Sequence, residues 1–151
     1  MYNLRQMASE KLPNIGAAIA VRHKPTLDEL ILCAKQIGDE SFGEAAATDS
    51  TEKFPVETLR KIAENYLLSA PLPEDFGGKN LGLESGTNHA LLQILKHFGR
   101  GNLVVGRVYE GHFNALLLIN LFGTNEQIER FAAHAKTADC SEFGIRKPAT
   151  A

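Results

Sequence analysis

Glu110 has the setting that most invites chemistry, because it stands inside "LVVGRVYEGHFNALLLINLF", residues 103–122, the most apolar window of the chain. A carboxylate there is costly to bury unless it is paired or faces a cavity. The second notable stretch is "LPEDFGGKNLG", residues 72–82, where a proline, two acids, an aromatic ring and two adjacent glycines interrupt otherwise helical patterning. Its proline and glycines break helices and permit backbone angles that other residues avoid. Other chemistry-bearing residue types are poorly spaced. No pair of the five histidines has the i, i+4 spacing with an acid that a helical zinc site uses, and His89 and His97 are eight apart. They read as surface or core-edge histidines, with no metal site. "GLESG" is not a G-x-S-x-G elbow, and neither Cys33 nor Cys140 has a nearby base, so nucleophilic catalysis has no support. "GRGNLVVG" at 99–106 follows a helix rather than a strand and reads as a helix–helix connection, not a dinucleotide loop. No residue is assigned a catalytic role.

The totals bound the alternatives. A chain of 151 residues that is 44% hydrophobic can bury one compact core. Sixteen basic against eighteen acidic side chains, interspersed, give a formal charge of -2 and no basic stripe for nucleic acid. Two distant cysteines point to neither a disulfide framework nor structural zinc, and a reduced, cytoplasmic protein is the economical reading. The apolar run "IGAAIAV" is short and follows a proline, which makes a poor secretory signal. Arg107, Glu110, His112, Asn114 and Asn120 interrupt the apolar window, so no membrane span is expected.

The elements that would position these residues are helices. Residues 1–25 lack periodicity and read as an irregular arm. "TLDE" at Thr26 has capping-box form and opens a helix with Leu27, Leu30, Ile31, Ala34 and Ile37 on one face, expected to end around Ser41 to Gly43. "EAAATDSTEK" either extends it or connects it to the next helix. In "FPVETLRKIAENYLL", Pro55 suits a first helical position, and Val56, Leu59, Ile62, Ala63, Tyr66 and Leu67 repeat at helical spacing. "SGTNHALLQILKHFG" forms the next helix, stopped by Gly99 and Gly101. Asn102 can cap the apolar helix, which is apolar nearly all round and is expected at the buried centre of a bundle. Gly106 and Gly111 within it imply close approach of a neighbour or ligand. Gly123 ends it, and "TNEQ" caps a last helix with Ile128, Phe131, Ala132 and Ala135 inward. The expected fold is all-α, an antiparallel bundle of about five to six helices over 26–138, with 139–151 starting something different.

The order of these motifs resembles the N-terminal helical domain of the acyl-CoA dehydrogenases, from about Thr26 to the C-terminus. "FPVETLRKIAENYLL" and "PEDFGG" are similar to the family's F-P-x-x-x-x-x-x-A-x-x-G-L and P-E-x-Y-G-G. "HFGRGN" follows, and "GHFNALLLINLFGTNEQIERF" resembles H-x-x-L-x-x-x-x-I-x-x-x-G-T-x-E-Q-x-x-x-Y.

The resemblance implies a flavoenzyme of fatty-acid metabolism that oxidises the α–β bond of acyl thioesters, with FAD held between a middle β domain and a C-terminal bundle. The catalytic glutamate usually lies in that bundle, so this chain is expected to be inactive alone, as a truncation or remnant. It implies that Phe76, Gly77, Gly78 and Glu110 line or support the acyl pocket, and that Phe143, Gly144, Ile145 and Arg146 offer backbone to FAD. Arg146 and Lys147 stand where the family's F-x-x-T-E-P has Thr and Glu, which weakens side-chain contact with the flavin. The implied partner is an acyl-CoA or similar thioester; exposed remnants of domain interfaces would in addition favour self-association into a homo-oligomer. Two alternatives stay open: part of a related flavin-dependent monooxygenase, or a non-catalytic helical interaction module exposing apolar faces.

Overall fold

The computed structural model describes residues 24–51 and 53–137. They form five α-helices and two short 3-10 turns, with no strand among the described residues. The helices are α1 (Leu27–Thr51), α2 (Val56–Glu64), α3 (Asn88–Gly101), α4 (Leu103–Phe122) and α5 (Asn125–Thr137). The turns, Glu74–Phe76 and Ser85–Thr87, lie between α2 and α3. The all-α class read from the sequence is the observed one.

The N-terminus of α1 is the expected capping box. Thr26 N–H donates to Glu29 Oε2 at 2.7 Å, and Glu29 N–H donates back to Thr26 Oγ1 at 3.2 Å. The helix does not end near Gly43 but continues to Thr51. Alanines 45–47 favour continuation, and tertiary hydrogen bonds hold the added turns. Thr58 Oγ1 donates to Glu44 Oε2 at 3.0 Å, and Asn102 Nδ2 donates to Thr48 Oγ1 at 3.2 Å.

Asn102 joins three helices. Its N–H closes α3 on Phe98 O at 2.9 Å, while its Oδ1 caps α4 by accepting from Val104 N–H at 3.0 Å. With one residue between them, α3 and α4 pack against each other. Phe98 meets Tyr109 edge to face, ring centroids 4.9 Å apart, and a Cβ on Gly106 would lie 2.7 Å from Gly99 Cα. Gly99 therefore sits inside α3 and does not stop it; the stop is Gly101. That glycine also lets α1 approach, since a Cβ there would lie 2.1 Å from Gly38 O.

Two sequence expectations fail at α4. Val105, Gly106, Tyr109, Phe113 and Leu116 are buried, but Leu103 is 77% exposed, Phe122 81%, and Leu118 and Leu121 are also exposed. Among the described residues, α4 is therefore covered on one side only. An all-round apolar sequence shows that both faces favour cover, not that the described residues supply it. Close approach also holds at Gly106 but not at Gly111, which has open space around it.

α5 begins with the expected box, Thr124 N–H donating to Gln127 Oε1 at 2.8 Å and Gln127 N–H to Thr124 Oγ1 at 3.3 Å. It buries Ile128, Ala132 and Ala135. The main core gathers Leu30, Ile62, Leu67, Ile94, Phe98 and Tyr109; a smaller one joins Leu72 and Leu116 to Ala132 and Ala135, with Phe76 packed against it. Among the described residues, no helix is long and apolar enough to cross a membrane.

Candidate functional site

Between α2 and α3 the chain leaves helical structure at Asn65 and runs through the Pro-Glu-Asp-Phe-Gly-Gly turn. Loop carbonyls lack an intrahelical partner and must find donors elsewhere. α4 supplies three from one face. Tyr109 Oη–H donates to Leu67 O at 3.0 Å, His112 Nε2 lies 2.7 Å from Leu68 O, and Asn120 Nδ2 donates to Pro71 O at 3.3 Å. Because a carbonyl only accepts, the Leu68 bond puts the proton of neutral His112 on Nε2. Asn120 Oδ1 is buried and has no hydrogen-bond partner among the described residues.

The loop closes its own remaining bonds. Lys79 and Leu81 N–H donate to Ala70 O at 3.0 and 3.1 Å, Asn80 N–H to Leu72 O at 3.0 Å, and Gly78 N–H to Pro73 O at 2.9 Å. Thr87 Oγ1 accepts from Gly82 N–H at 2.8 Å and stands 2.9 Å from Asn80 O. These bonds tie Ala70, Leu72 and Pro73 to residues 78–81.

Phe76, Gly77 and Gly78 therefore lie in one turn, fixed on α4 and α5. Phe76 is half-buried against the smaller core. Gly77 takes φ +85°, which a left-handed cap favours in glycine, and its carbonyl accepts the Tyr66 hydroxyl. Gly78 is buried, and a Cβ there would fall 1.8 Å from Leu72 O.

Glu110 is half-buried on the same helix, between Tyr109 and His112. Its carboxylate pairs with Arg107 and lies 3.5 Å from Asn114 Nδ2. Its polar contacts stay within α4 and do not reach the loop, so α4 carries both features without a bond joining them. Phe143, Gly144, Ile145 and Arg146 fall outside the described residues.

Sequence reasoning missed the anchors. Tyr109, His112, Leu116 and Asn120 recur at spacings of three and four, so polar groups share a stripe with a buried leucine. That pattern was a readable signal for partners across the helix. A second miss is Tyr66, placed on the α2 face by periodicity. The helix instead stops before it, and Tyr66 takes φ +68°.

The electrostatics favour shape over chemistry. Burial lowers the pKa of His112, only partly opposed by the Leu68 carbonyl, and burial raises that of the Tyr109 phenol. Both anchors stay neutral. The Cys33 thiol is pushed up to about 11 by burial and by Glu40, so it remains protonated. No group of His, Cys, Asp or Glu among the described residues could hold a metal ion.

The family model described as "Acyl-CoA dehydrogenase, N-terminal domain" matches residues 28–137, which span α1 to α5 and include the anchored turn. The chain belongs to the acyl-CoA dehydrogenase N-terminal domain family. A 3-(aryl)acrylate reductase from Clostridium sporogenes (strain ATCC 15579) is 32% identical over 89 residues, covering 58% of this chain. The match covers 22% of that relative's length. No solved structure gives a significant match. In acyl-CoA dehydrogenase terms, the described residues supply a helical domain of an oxidoreductase family.

Proposed function

We propose that this chain supplies one wall of the acyl pocket in an acyl-CoA dehydrogenase-like oxidoreductase acting on CH–CH bonds of acyl thioesters. The observation that carries the reading is the Phe76–Gly78 turn seated on α4, the helix that also presents Glu110 and an uncovered apolar face. The turn gives an apolar ring and close-packed backbone, and Glu110 gives a polar limit. These features sort substrates by length and shape. The relative's name agrees with the bond type, since reduction of an acrylate adds hydrogen across a C=C bond beside a carboxyl group.

The Phe76–Gly78 turn is not the part proposed to hold a flavin. Phe76 and Gly78 N–H both donate to Pro73 O, and Gly77 N–H donates to Glu74 O, so the turn has no backbone donor to offer a ring. The residues proposed to touch FAD are the backbone of Phe143, Gly144, Ile145 and Arg146, supported by a β domain. The chain alone is accordingly proposed to be inactive, with no chemical step falling to its side chains.

Mixing the purified chain with FAD, removing free flavin by gel filtration and scanning visible absorbance tests this division of labour. The expected result is protein without flavin absorbance. Stoichiometric flavin retention would contradict it and show that this chain holds a competent cofactor site.

A further inference from the structure

We infer that Tyr66 is a positioning residue that holds the Phe76–Gly78 turn shut through its hydroxyl, and that its left-handed backbone serves that placement. The inference deepens the pocket-wall reading, but its physical part does not depend on any substrate.

Tyr66 and Asn80 are the described non-glycine residues at positive φ, +68° and +52°. Asparagine adopts this region readily, whereas a bulky aromatic residue is an outlier there. Such conformations persist only where the surroundings over-determine them. Around Tyr66 they do. Its carbonyl accepts from Ala70 N–H at 3.0 Å and from Ser69 Oγ–H at 3.1 Å. Its ring packs against the main core while remaining half-buried. Its hydroxyl donates to Gly77 O, eleven residues away.

The geometry explains why tyrosine stands where glycine would be easier. A left-handed residue two positions past the end of α2 turns the chain into the loop, and from there the phenol reaches across to the glycine pair. Gly77 itself is left-handed, so two unusual backbone positions face each other through one hydrogen bond. The turn's other bonds are short-range, Phe76 and Gly78 to Pro73 and Gly77 to Glu74. The Tyr66 hydroxyl is thus the described side-chain bond that ties the glycine pair to the end of α2. Burial, and then Glu74, raise its pKa, which keeps the donor protonated at neutral pH.

Amide hydrogen exchange on the full 151-residue chain separates this role from simple packing. Tyr66→Phe keeps the ring and removes only the hydroxyl. We expect the Phe76, Gly77 and Gly78 amides to exchange about fivefold faster, as loss of one neutral hydrogen bond allows. Core amides at Ile94 and Val105 should keep their wild-type rates. Tyr66→Gly, which relieves the backbone but removes the clasp, should speed the same three amides at least as much. Wild-type exchange at these amides in either variant would overturn the inference. So would equal acceleration of turn and core, which marks Tyr66 as a packing residue only. These results leave the pocket-wall reading intact; that reading fails separately, if acyl thioester ignores a turn whose clasp is demonstrated.

Discussion

Gly78→Ala is expected to unfold the turn and to cost about 3 kcal/mol of stability. The added Cβ would stand 1.8 Å from Leu72 O and 2.3 Å from Leu72 C, both backbone atoms that cannot rotate away. Relief requires moving residues 72–78 apart. That strains the bonds from Gly78 N–H to Pro73 O and from Asn80 N–H to Leu72 O. In thermal unfolding, the midpoint should fall by about 10 °C for a domain of this size. Gly86→Ala is the control, since a Cβ there meets only open space. It should change stability by less than about 0.5 kcal/mol. A Gly78→Ala protein as stable as the control would show that the turn does not pack on Leu72 as described.

Tyr109→Ala is expected to be comparably severe, at about 3–5 kcal/mol, because it removes a fully buried ring that meets Phe98 edge to face. The informative comparison is Tyr109→Phe. That variant keeps the packing and leaves Leu67 O without the hydroxyl that satisfies it, a loss of about 1–3 kcal/mol. Chemical denaturation of the two variants separates the ring from the bond. If Tyr109→Phe matches wild type, the carbonyl is satisfied in another way and α4 is not the loop's anchor at this point. If the phenylalanine variant loses stability, the connection from core to turn is energetic as well as geometric.

What was legible in the sequence was local. The boxes at Thr26/Glu29 and Thr124/Gln127 and the cap at Asn102 depend on residues no more than three apart, and each forms as read. What was illegible was decided at a distance. α1 runs on to Thr51 because Thr58 and Asn102 hold its last turns, and no window of α1 contains either residue. α2 stops at Glu64 and the Tyr66 phenol reaches Gly77 O, although periodicity places Tyr66 on the helix face. The uncovered face of α4 is invisible to periodicity, which reports apolarity and not cover. At the candidate site, the turn was visible through its prolines and glycines, whereas its anchors on α4 were hidden by treating polar residues there as interruptions.

The pocket wall is the central claim, and it is tested most directly by amide correlation spectra of the full chain titrated with octanoyl-CoA, using CoA alone as reference. The account predicts acyl-dependent shifts at Phe76, Gly77, Gly78 and along α4 from Glu110 to Leu118. Shifts confined to the outward residues Leu32, Phe42 and Leu92, or no acyl-dependent response at millimolar probe, would contradict it.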